Sequence, residues 1–209
     1  MLGKDLKLLA TVLRTEGPLE LLRRVAFRFL HVHTFTVFRM DLTDAMPRGQ
    51  IPAGIDFKEV TREQLRALRS GRTDLPEYFY RDESETLDRC WAGLQGGRLE
   101  YITWLSRHNS SGMVRVGNGE AELNYFYCCE PLRGKRMTTN AVLVIARTLF
   151  DEGIASIYTV VHSGNPAMVK SVVACGLAPV GSIRRFGFLT WPRTPVDYSR
   201  SGRPGAKGT

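Results

Sequence analysis

The run Arg133-Gly134-Lys135-Arg136-Met137-Thr138 places three cationic side chains around a glycine, between an aromatic strand and the start of a helix. The first N–H groups of a helix have no intrahelical acceptor and carry the positive end of its dipole, so such a turn suits a phosphate. Further along, His162-Ser163-Gly164-Asn165-Pro166 opens a second helix that closes at Gly176. Parallel feeding strands would put both helix starts at one sheet edge. The chemistry implied is the holding of an anionic cofactor or co-substrate.

The common alternatives lack their residues. No G-x-G-x-x-G follows a strand, and Gly134-Lys135 has neither the upstream Gly nor the downstream Ser or Thr of a phosphate loop, which argues against dinucleotide and ordinary ATP sites. There is no G-x-S-x-G elbow, no H-E-x-x-H and no C-x-x-C spacing, so hydrolase and zinc chemistry find no support. His31 and His33 share one strand face without a third ligand, and no metal site is expected.

The elements that must position these residues follow from periodicity. His31–Leu42 alternates and reads as a strand, and residues 43–53 read as a linker. Ile55–Val60 reads as a strand, and Thr61 with Glu63 and Gln64 starts a helix with capping potential. Arg98–Ser106, Met113–Val116 and Glu120–Cys129 read as successive strands joined by Asn109-Ser110-Ser111-Gly112 and Gly117-Asn118-Gly119. A helix over Thr138–Glu152 ends at Gly153, followed by a strand over Ala155–Val161, a helix over Pro166–Cys175 and a long final strand over Val180–Trp191. A meander followed by a β-α-β unit is mixed α/β.

Domain organisation is expected in three parts. Residues 1–41 form an N-terminal extension of basic amphipathic helices and a strand, residues 42–193 the α/β domain, and residues 194–209, rich in Ser, Gly, Arg and Pro, a disordered tail. The 209 residues carry a net charge of +8, which favours an anionic partner without choosing one. Lys4, Lys7, Arg14, Arg23, Arg24 and Arg28 would let the extension touch an anionic membrane, with a helix packed on the domain as the simpler alternative. No base-stacking or groove-reading motif points to nucleic acid. Four cysteines, two of them adjacent in one strand, do not make a disulfide framework, and a reducing cytoplasm fits. Against this basic background, Asp74–Asp88 holds six acids, one arginine and Tyr78-Phe79-Tyr80, either a solvated acidic helix start or a wall that attracts a cationic amine.

Two motifs together resemble the GNAT acetyltransferase superfamily. Its pyrophosphate turn, [Q/R]-x-x-G-x-[G/A], has Arg133 in the first slot, with Arg136 and Thr138 where the small residues sit. Its later helix, opening on Asn and closing on Gly, is matched by Asn165, Gly176 and Leu177, with Pro179-Val180-Gly181 beyond. The resemblance covers roughly residues 55–191 in element order.

The resemblance implies a GNAT-like central mixed sheet and an N-acetyltransferase that moves an acetyl or acyl group from acetyl-CoA (acyl-CoA) to a small amine such as an amino sugar, amino acid or polyamine. A CoA-binding module without turnover is the alternative. The resemblance also implies that the pantetheine arm lies along Tyr127 to Cys129, with an oxyanion donor near Cys128 or Cys129, and that the pyrophosphate lies on the N–H groups of Gly134, Lys135, Arg136, Met137 and Thr138. Asn165 would contact the pantetheine as well as cap its helix, and Lys170 would reach the nucleotide phosphate. Acyl transfer needs a base for the amine and an acid for the leaving thiolate. Where many members carry that acid as Tyr, seven residues after the motif Asn, this chain has Val172. Tyr125, Tyr127 and His162 are the substitute candidates, with Glu122 as a base. A homodimer through the long final strand is a further possibility.

Overall fold

Strand alternation and helix stripes resolve into one mixed sheet with helices on its two faces. The computed structural model describes residues 18–19, 32–83, 85–107, 112–186 and 189–191. The expected N-terminal helices, the Asn109-Ser110-Ser111 turn and the C-terminal tail lie outside these residues. The elements are β1 (Val32–Asp41), β2 (Ile55–Val60), α1 (Arg62–Arg69), a 3-10 segment (Glu77–Glu83), β3 (Arg89–Gln95), β4 (Arg98–Ser106), β5 (Glu120–Cys128), a 3-10 turn (Glu130–Leu132), α2 (Met137–Asp151), β6 (Ser156–His162), α3 (Pro166–Ala174), β7 (Ala178–Phe186) and β8 (Leu189–Trp191). The sheet order is β2-β3-β4-β5-β6-β1-β7-β8. Only β5 and β6 run parallel among the described strands; every other neighbouring pair is antiparallel.

Local chemistry accounts for the helix limits. Thr61 accepts from Gln64 N–H while the Gln64 side chain accepts from Thr61 N–H, a reciprocal capping box at the start of α1. Past the C-terminal ends of α2 and α3, Gly153 and Gly176 adopt φ of 84° and 92°, the left-handed geometry that glycine takes without a Cβ penalty. On one sheet face, Val142, Ile145, Ala146 and Leu149 of α2 pack with Leu105, Leu123, Ile157 and Val161. On the other, Leu65 of α1 and Phe79 pack with Ile102 and Trp104. Each such side chain contributes about 1.5–3 kcal/mol on burial.

One strand was not expected, and three expectations need correction. Arg89–Gln95, which carries no alternation, is a strand because β3 is buried on both faces; its Gly93 lies where an added Cβ would come within 2.9 Å of the Tyr101 Cβ. Met113–Val116 is not a strand, since the Met113 and Val114 N–H groups donate to the Glu122 carboxylate instead of a ladder. The long final strand is a hairpin in which β8 pairs back on β7. Finally, the strand assigned to the N-terminal extension is interior to the sheet: β1 pairs with β6 on one side and β7 on the other.

Candidate functional site

The parallel pair opens. β5 and β6 share only the register positions Glu120↔Ser156, Ala121↔Ile157 and Glu122↔Tyr158, after which β5 runs on to Cys128 and β6 to His162 without pairing. Each wall of the opening keeps its outer neighbour, β4 beside β5 and β1 beside β6. A wedge between two strands therefore exposes one main-chain edge of β5.

A bulge decides what that edge presents. Trp104 pairs with Asn124 and Ile102 with Tyr127, so one β4 residue faces both Tyr125 and Phe126, and Tyr125 takes a φ of 52°. Beyond it, Cys129 N–H donates to the Glu100 carbonyl at 2.8 Å. In an antiparallel ladder the preceding residue then points its N–H and C=O the other way. Cys128 accordingly turns both groups from β4 toward the opening, where the Arg133 Nε donates to its carbonyl at 3.1 Å. Of the two residues expected to supply an oxyanion donor, Cys129 has its N–H committed and Cys128 does not. Burial pushes the Cys128 thiol up to about 11 and the Cys129 thiol up to about 12, so neither is a nucleophile at neutral pH.

The basic turn sits at the same end. Asn140 is the first N–H of α2 to bond back, to the Arg136 carbonyl at 3.0 Å, and no side chain caps the helix. Among the described residues, the N–H groups of Arg136, Met137, Thr138 and Thr139 have no acceptor. Arg136 occupies the N-cap with φ 56°, and Gly134 has φ 75°. Arg133, Gly134, Lys135 and Arg136 are exposed, whereas the Met137 side chain is buried with Tyr101 and Leu132; only its backbone can serve a ligand.

The acid–base candidates separate by environment. Glu122 is buried at the apex of the wedge, and burial pushes its carboxyl up to about 7 against the lowering effect of the Val114 and Met113 N–H groups. Tyr125 donates to Glu85 at 2.6 Å, and burial with that bond raises its pKa far above the usual phenol range. A phenol so held is a poor acid. Tyr127 stacks on Tyr78 with ring centroids 5.4 Å apart, and its oxygen accepts from Arg133 at 3.4 Å. On the opposite wall, the His162 Nδ1 accepts from Gly164 N–H at 3.0 Å and its Nε2 lies 3.4 Å from the His33 Nδ1. Val172 is fully buried in the core and does not border the wedge.

Asn165 caps α3, its side-chain oxygen accepting from Met168 N–H at 3.1 Å. Lys170 is exposed on the same helix. No group of three or more potential metal ligands occurs among the described residues. The acidic segment is largely neutralised by arginines: Asp82 pairs with buried Arg69, Asp74 with Arg72, and Glu77 and Glu85 with Arg81. Arg81 and Glu85, which the sequence did not single out, join the site through Tyr125. The acid-and-tyrosine composition of Asp74–Asp88 was the available signal. Beside the β5 tip, Arg72, Arg98, Glu100, Tyr127, Glu130 and Arg133 line a cavity of about 350 Å³.

No protein-family model and no curated protein matches the sequence. Solved structures do match in fold. The GCN5-related N-acetyltransferase from Sphaerobacter thermophilus is similar with a TM-score of 0.52 at 13% identity, over 78% of this chain and 54% of that one. A GNAT-family acetyltransferase from Colwellia psychrerythraea is similar with a TM-score of 0.51 at 12% identity, over 79% and 60%. The GCN5-related glucosamine N-acetyltransferase region of a fungal multi-domain GH3 β-N-acetylglucosaminidase reaches 0.53 at 14% identity, over 79% and 22%. The chain thus spans less than two thirds of each of these proteins, and at these identities the likeness establishes the fold: a GNAT-type mixed sheet.

Proposed function

We propose that the protein is an acyl-CoA-dependent N-acetyltransferase acting on a small amine. One observation carries the reading: the β5–β6 wedge and the uncapped, cationic start of α2 lie at the same sheet end, so an extended thioester and its phosphates have adjoining places. The pantetheine arm lies along the Cys128 edge. Lys135, Arg136 and the free N–H groups of α2 hold the pyrophosphate. Lys170 contributes from α3, whose start Asn165 caps.

Glu122, acting through water, takes the proton of the incoming ammonium. The amine nitrogen then bonds to the thioester carbon, and the Cys128 N–H stabilises the oxyanion. Collapse breaks the C–S bond; Tyr127 protonates the departing thiolate and recovers a proton from the nitrogen as it becomes the amide, because the Tyr125 proton is committed to Glu85. Amino sugars, amino acids and polyamines are the acceptor classes to try first; a fungal structural neighbour is described as a glucosamine N-acetyltransferase region.

Calorimetric titration with acetyl-CoA is the primary test. No saturable binding at about millimolar ligand, weaker than roughly −4 kcal/mol, overturns the proposal. The buried Val172 favours a second reading, a CoA-binding module without catalysis. Acceptor-dependent CoA release that disappears in Tyr127→Phe separates the enzyme from the module.

A further inference from the structure

We infer that Glu85 is a positioning residue that, with Arg81, fixes the bulge at Tyr125 and thereby chooses which backbone N–H of β5 faces the wedge. The inference deepens the acyltransferase reading and rests on it for its meaning, although not for its geometry.

Tyr125 and Arg136 are the non-glycine residues with positive φ among those described, and Tyr125 is the one inside a strand. Left-handed backbone is unfavourable for a residue with a Cβ, so something must hold it there. Three contacts do. The phenol donates to the Glu85 carboxylate at 2.6 Å, the Arg81 guanidinium lies 4.7 Å from the ring centroid, and Arg81 pairs with Glu85 at 3.3 Å. All three come from the segment that follows α1, which reaches over the β5 face opposite α2.

The consequence is a matter of strand parity. With the bulge, Tyr125 and Tyr127 join Glu122 and Asn124 on one face, while Phe126 and Cys128 turn toward α2. Cys128 then offers its N–H to the wedge and Tyr127 is paired to β4. A straight β5 would exchange them, because a one-residue slip sends every later side chain to the other face. Tyr127 would leave the face it shares with Glu122, and the Cys128 N–H would be lost to the ladder. Glu85 touches no reacting atom in this scheme; it acts through Tyr125.

Amide hydrogen exchange on the ligand-free full chain reads the register directly. In the unaltered protein Tyr127 N–H is expected to be protected and Cys128 N–H to exchange faster. In Glu85→Ala and in Tyr125→Phe the contrast is expected to shrink or reverse, while Glu85→Gln, whose amide oxygen still accepts the phenol proton, keeps it. Calorimetry with acetyl-CoA should show affinity falling about tenfold in Glu85→Ala and Tyr125→Phe, within about threefold in Glu85→Gln, and no further in the double variant, since the two residues act as one unit. An unchanged exchange contrast in Glu85→Ala overturns the inference, as does a double variant whose losses add. Should the unaltered protein not bind acetyl-CoA, the functional proposal fails while the exchange result still decides the role of Glu85.

Discussion

The two helices that start at the open end of the sheet treat their first N–H groups in opposite ways. α3 begins with Asn165, whose side chain takes the Met168 N–H, and with Pro166, which has no N–H to satisfy. α2 begins with an arginine in left-handed backbone, no capping side chain and three exposed cations. A third set of donors, Met113 and Val114, is closed by the Glu122 carboxylate. Where the chain supplies its own oxygen the donors serve stability. Where it supplies positive charge, the donors stay without an internal acceptor among the described residues.

The sharpest way to break this contrast is to put acids at α2. Lys135→Glu with Arg136→Glu should weaken acetyl-CoA binding by roughly a hundredfold or more, because two charge-assisted contacts become repulsions. The melting temperature should hardly move. Calorimetry beside a thermal scan checks both; a large loss of stability would mean that the turn is structural.

Next in size is the pH behaviour of the closed donors at Glu122. Its folded-state pKa is raised to about 7, so the folded protein holds this proton more tightly than the unfolded chain. The stability linked to it is therefore complete below about pH 4.5, declines as pH rises and levels off above about 7, by at most about 3 kcal/mol. Glu122→Gln should flatten that slope in denaturation measured at pH 5 and pH 8. If Glu122 is the base, turnover should rise through pH 7 and be lost in the same variant.

Asn165→Ala should cost about 1 kcal/mol of stability, as loss of an N-cap does, and change acetyl-CoA affinity less than about threefold. An affinity loss well beyond that would put Asn165 on the ligand as well. The smallest effect belongs to Arg136→Gly, which relieves left-handed strain and should stabilise the ligand-free protein by about 0.5–1 kcal/mol while weakening binding a few-fold.

These contrasts also explain what the sequence could reveal. The basic turn, the Asn165 cap and the terminal glycines of α2 and α3 are local, each defined within a few residues, and they were legible. β3 was not, because a strand buried on both faces loses its period of two. Nor was the role of Glu85, which depends on a contact with Tyr125 across 40 residues of chain. The position of β1 was equally hidden: alternation in Val32–Asp41 shows a strand but not its neighbours. The face assignment of Tyr127 required the bulge, and nothing about Tyr125 as a residue announces positive φ.

The seat of β1 has a consequence for how the molecule comes into being. Thr36 meets Ser163 across 127 residues, so half of the wedge is built from segments made far apart in time. Long-range pairings of this kind slow folding, since the closure entropy precedes any return. As the ribosome works, β1 must wait unpaired until β6 emerges, and it gains its second neighbour only with β7. The wall carrying His162 therefore cannot close until β6 has been made, which leaves β1 unpaired for most of synthesis and open to capture by a chaperone.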